Sequence, residues 1–138
     1  SQISGGSSTS VGGYSEHEAP EDDSRQFEIS DNRTLDEIVN WLLSRGFIPS
    51  FCTACYREGR TGDRFMSLAK SGQIANCCQP NALMTLKEYL EDYASTDTKD
   101  KGEKVISEEL NHILSDKVKG ITVSRLEEIH SGKRDFRF

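Results

Sequence analysis

The sequence predicts a short α/β segment followed by four helices. Three observations lead there: a strand–helix–strand pattern before residue 52, four cysteines close together after it, and helical apolar periodicity through the remainder.

The elements follow in chain order. Gln26-Phe27-Glu28-Ile29 alternates as a short strand does. Thr34 then offers an N-cap, with Glu37 placed to complete a capping box. Leu35, Ile38, Val39, Leu42 and Leu43 form one apolar stripe, and Gly46 supplies a left-handed stop. Phe47-Ile48-Pro49-Ser50-Phe51 reads as a brief buried strand that ends at Cys52. Phe65, Met66, Leu68 and Ala69 predict a short helix closed by Gly72. Pro80 suits the first turn of the next helix, which continues through Leu83, Leu86, Leu90 and Tyr93. Residues 95–103 are polar and predict a linker. Two more helices carry Ile106, Leu110, Ile113 and Leu114, then Val123, Leu126 and Ile129 from a start near Thr122. Each stripe is expected to be core. Two strands and one helix neither close a barrel nor build a doubly wound sheet, so the first third needs further partners.

Composition narrows the function. The chain has 138 residues, 29% of them charged, and a formal net charge of −6. An acidic surface does not suit phosphate neutralisation, so no nucleic-acid partner is expected. No apolar run approaches the roughly 20 residues that span a bilayer, and Ser1–Ser24, rich in Gly, Ser and acidic residues, lacks the pattern of a secretory leader. A cytoplasmic location is expected, where thiols stay reduced. The start without Met fits a chain cut from a longer one.

Chemistry concentrates in Cys52, Cys55, Cys77 and Cys78. Cys52-Thr53-Ala54-Cys55 brings two thiolates onto one centre through a tight turn, and 22 residues separate Cys55 from Cys78. Thiolates favour zinc and iron–sulfur clusters. Structural zinc wants four closed ligands, and adjacent Cys77 and Cys78 reach one tetrahedral ion awkwardly. Nothing local brings His17, His112 or His130 to complete a Cys3His site. Three cysteines suit a [4Fe–4S] cluster, leaving one iron without a protein thiolate. From the residues alone, cluster and zinc both stay open, as does the choice between Cys77 and Cys78. Arg57, Arg60 and Arg64 crowd the same loop, either to offset sulfur charge or as solvated surface arginines.

The run from Phe51 to Met66, with its Cys52-Thr53-Ala54-Cys55-Tyr56-Arg57 and Gly59-Arg60-Thr61-Gly62 words, resembles the HydG family of radical S-adenosylmethionine tyrosine lyases. That family carries a C-x2-C-x22-C auxiliary-cluster motif, and Cys52, Cys55 and Cys78 match its spacing. The resemblance extends over nearly the whole chain. It implies the C-terminal strands and helices of a (β/α)8 TIM barrel in residues 1–51, followed by a small α-helical auxiliary-cluster domain in residues 52–138. It implies that Cys52, Cys55 and Cys78 ligate an auxiliary [4Fe–4S] cluster with a labile iron at its open corner.

The activity implied is that of a carbon–carbon lyase of the whole protein. L-Tyrosine is converted to p-cresol, CO and cyanide, and an iron–CO–cyanide synthon is assembled for the [FeFe]-hydrogenase H-cluster. Other hydrogenase maturation proteins would be partners, and free cysteine or a homocysteine-type ligand would fit the extra iron. S-adenosylmethionine and a second [4Fe–4S] cluster belong to a C-x3-C-x2-C motif that this sequence does not contain. A zinc-stabilised helical interaction module is the alternative outside enzymes. Thiamine-pathway tyrosine lyases and biotin-synthase-like relatives share the barrel but lack the three-cysteine motif.

Overall fold

The computed structural model describes residues 33–138. Among them every regular element is helical: α1 (Leu35–Leu43), α2 (Ala54–Arg57), α3 (Gly62–Lys70), α4 (Ala75–Asp92), α5 (Thr96–Glu109), a 3-10 turn at Leu110–His112 and α6 (Asp116–His130). The strand expected at Gln26–Ile29 and the glycine-rich start lie outside the described residues.

The α/β expectation is therefore corrected for this part of the chain. Residues 47–53 form no strand. A strand needs a neighbour for its N–H and C=O groups, and no extended partner exists among the described residues. Pro49 also removes a donor. The apolar reading of the segment survives in part, since Ile48 packs on the core and Phe51 stacks on Tyr89 with ring centroids 5.2 Å apart.

α1 forms as its signals dictate. Glu37 N–H donates to Thr34 Oγ1 at 3.3 Å, and Thr34 N–H donates to Glu37 Oε2 at 2.7 Å. Gly46 ends the helix at φ 74°, with the Phe47 N–H returning to the Leu42 carbonyl. Val39 and Leu43 enter one core with Leu83, Leu86, Leu90, Val105, Ile106, Leu126 and Ile129. α4 is central, packed against α5 and α6, and α1 lies on α5. Asp36 fixes that last contact by accepting from Ser95 Oγ at 2.6 Å, Thr98 Oγ1 at 3.0 Å and Tyr89 Oη at 3.2 Å.

Four further expectations change. Residues 95–103 are not a linker but the first half of α5, capped by Ser95 and supported by the Asp97–Lys101 pair at 2.6 Å. Pro80 lies inside α4 rather than in its first turn, because i→i−3 bonds from Ala75, Asn76 and Cys77 start the helix earlier. The final helix starts at Asp116 under a Ser115 cap, well before Thr122. Not every stripe is core: α3 buries no residue, and Leu114 is 96% exposed in the loop after the 3-10 turn.

Gly102 explains why the segment reads as a linker and folds as a helix. A Cβ there would come within 3.0 Å of three Leu90 side-chain atoms, and Leu90 is itself buried. The glycine is required for close approach of α4 and α5. Gly102→Ala is expected to destabilise by about 1–2 kcal/mol through overpacking. Gly120→Ala in α6 meets nothing within 4 Å and should stabilise by about 0.5–1 kcal/mol. Urea unfolding of both variants checks the opposite signs.

Candidate metal centre

The cysteines sit on three segments. Cys52 ends the irregular run 47–52, Cys55 lies in α2, and Cys77 and Cys78 lie in the first turn of α4. Each segment has a local cause. The Phe51–Tyr89 stack holds the chain immediately before Cys52. The Ala54 N–H donates to Cys52 Sγ at 3.4 Å, and Ala54 is buried, so the turn between Cys52 and Cys55 closes on itself. Gly72, at φ 76°, reverses the chain after α3 and allows α4 to begin.

Cys52, Cys55 and Cys77 are partly buried, while Cys78 is exposed. The four are free thiols, and Cys77 Sγ turns back toward the Ile74 carbonyl at 3.5 Å. The Cys78 thiol is pushed up to about 11 by burial, then by the charge and hydrogen bond of Cys77 and the charges of Cys55 and Cys52. Cys78 thus lies within electrostatic reach of both cysteines of the C-x-x-C despite the intervening α3. The N-terminal end of α4 favours thiolate, but burial and the like charges outweigh it. Bound metal cations would reverse that balance.

Among the described residues, no three His, Cys, Asp or Glu side chains close on a point as a single bound ion requires. The four cysteines offer an all-sulfur donor set, drawn from three segments of the chain. Such chemistry fits a multi-iron cluster, which spreads its ligands over several corners, better than one tetrahedral ion.

Arg57 and Arg60 tie the cysteine loop to the C-terminal segment. Arg57 makes a bidentate pair with Asp135, its Nη2 donating to Oδ2 at 2.9 Å. Arg60 donates to the main-chain oxygen of Phe138 at 2.9 Å. Arg64 is exposed. The segment 133–138, uninformative in sequence, is therefore packed against the cysteine loop, and Phe136 and Phe138 rest on the core. Asn81, buried one turn beyond Cys78, accepts from the Phe138 N–H at 2.8 Å. Neither role carries a sequence signal, since each depends on contacts 57–79 residues away.

Beside the loop, Leu35, Phe51, Tyr89, Tyr93, Asp92 and Arg134 help line a groove of about 1080 Å³. No described helix is long and apolar enough to cross a membrane.

No family model matches the chain, and no curated protein matches it. Among solved structures, the crystal structure of HydG, a maturase of the [FeFe]-hydrogenase, matches at 54% identity with a TM-score of 0.79. This chain is similar to part of HydG. The match covers 82% of the chain and 25% of HydG, consistent with a C-terminal portion. The chain thus spans about a quarter of the length of HydG, and the expected resemblance is borne out at that level.

Proposed function

We propose that this chain forms the auxiliary-cluster part of a HydG-like maturase, with Cys52, Cys55 and Cys78 as the ligands of a [4Fe–4S] cluster. The observation that carries the reading is the C-x2-C-x22-C spacing of Cys52, Cys55 and Cys78 in a chain with 54% identity to HydG over 82% of its length. In this reading the helical unit that carries residues 52–138 is the cluster domain of the whole protein.

Within that arrangement the chain binds and orients. Cys52 and Cys55 approach from the closed C-x-x-C turn, and Cys78 from the positive end of α4. The cluster, when bound, supplies an iron without a protein thiolate, able to take a free cysteine or homocysteine-type ligand and a labile further iron. The whole protein would be a radical S-adenosylmethionine lyase that cleaves L-tyrosine to p-cresol, CO and cyanide. The last two would be assembled on iron for the [FeFe]-hydrogenase, with other maturation proteins as partners. S-adenosylmethionine and the second [4Fe–4S] cluster would be held by residues outside this sequence.

Anaerobic reconstitution with iron and sulfide tests the reading. It is expected to give a brown protein with about four irons and four sulfides per chain. A colourless protein that instead retains one zinc per chain would support a zinc-stabilised helical module and overturn the cluster.

A further inference from the structure

The segment 134–138 is hydrogen-bonded to both cysteine-bearing parts of the fold. Its base is anchored on the helices. Arg134 pairs with Asp92 at the end of α4 through Nε and Nη2, at 2.8 and 2.5 Å, and donates to the Ile129 carbonyl of α6 at 2.7 Å. Arg125 of α6 lies 4.4 Å from the Phe138 ring centroid and donates to the Arg137 carbonyl at 3.1 Å.

From that base the segment reaches both ligand-bearing elements. Asp135 holds Arg57, two residues after Cys55. Arg137 donates from Nε to Glu58 at 2.9 Å. The Phe138 main chain is a bracket: its oxygen accepts from Arg60, and its N–H donates to Asn81, three residues after Cys78. Asn81 is 2% exposed, so the α4 side of the bracket is rigid.

Two observations favour a positioning role beside the packing of Phe136 and Phe138 on the core. The Arg57–Asp135 pair is exposed, with side chains 45% and 59% accessible, and such pairs add little to global stability. Asp135 is also the one non-glycine residue with positive φ among those described, at 69°. Its N–H donates to Glu88 of α4 at 2.8 Å while its carboxylate holds Arg57, so an unfavourable backbone is kept where it joins helix to loop. The receiving loop has little packing of its own, with Ala54 as its buried residue between positions 52 and 60.

We propose that residues 134–138 are a positioning clamp that fixes the Cys52–Cys55 loop relative to Cys78, through Asp135 on Arg57 and Phe138 between Arg60 and Asn81. The clamp rests on the cluster reading for its purpose, but its mechanical part does not. Asp135, Phe138, Arg57 and Arg60 act on the thiols only through the backbone that carries them.

Hydrogen exchange in the metal-free chain tests the clamp directly, because the amides of Tyr56, Arg57, Glu58, Gly59 and Arg60 all donate within this loop. Asp135→Asn keeps a residue that tolerates positive φ and removes the charge. Arg60→Met keeps the aliphatic stem and removes the donor. Each is expected to speed exchange of residues 54–60 about fivefold while leaving α4 and α6 unchanged. After reconstitution each should also broaden or shift the electron paramagnetic resonance signal of the reduced cluster. Unchanged loop exchange in both variants, or equal acceleration across α4 and α6, overturns the clamp. A wild-type chain that takes up no iron sinks the cluster reading and leaves the exchange result standing.

Discussion

Cys78→Ala is expected to abolish iron loading, while Cys77→Ala leaves most of it. The two residues are neighbours in the first turn of α4, where successive side chains point about 100° apart. Cys77 turns its Sγ toward the Ile74 carbonyl, 3.5 Å away. Cys78 stands 22 intervening residues from Cys55, the spacing that the resemblance to the HydG motif requires of the third ligand. Losing Cys78 removes a whole segment from the site, whereas losing Cys77 removes a small, partly buried side chain beside it. Iron and sulfide content after anaerobic reconstitution reads the difference. Equal losses in the two variants would mean that the assignment is wrong.

A second large effect is expected at Glu91, on stability rather than on the cluster. Its side chain is 12% exposed and pairs with Lys87 at 2.9 Å, Lys99 at 2.6 Å and His130 at 2.8 Å. Burial alone would raise its pKa, but the bonds from His130, Lys87 and Lys99 outweigh that and hold it at about 2, against an ordinary value of 4.5. The sign follows from linkage. A carboxyl whose folded pKa is depressed stabilises fully above its unfolded pKa, and the contribution is lost as pH falls toward the folded value. Glu91→Gln should therefore cost about 2–3 kcal/mol at pH 7. The difference from the parent protein should shrink between about pH 4.5 and pH 2. Urea unfolding at several pH values measures it, and a gap that stays constant over that window would contradict the account. Lys87 is buried between Glu91 and Glu103, so the variant also leaves a buried ammonium with one partner fewer.

Local signals carried far into this fold. The Thr34–Glu37 capping box and the Gly46 and Gly72 stops are read from neighbouring residues, and each forms as expected. The likeness to HydG is likewise legible in the words around Cys52 and Cys55. What failed depended on distant partners. Residues 95–103 look like a linker because their polar groups serve α1, through Asp36 and Asn40, and because Gly102 accommodates Leu90. Phe47–Phe51 has strand composition, but composition supplies no neighbouring edge. Pro80 prefers a first turn, but the reversal at Gly72 starts α4 five residues before it. The arginine loop could not be decided between charge compensation and solvated surface because Asp135 and Phe138, its anchors, lie 78 residues away.

Iron-edge anomalous diffraction from crystals of the anaerobically reconstituted protein tests the central claim most directly. The account predicts one compact group of about four irons bonded to the sulfurs of Cys52, Cys55 and Cys78, with one corner lacking protein sulfur and Cys77 outside bonding distance. A single metal peak closed by all four cysteines, or iron bound away from these three sulfurs, would contradict it.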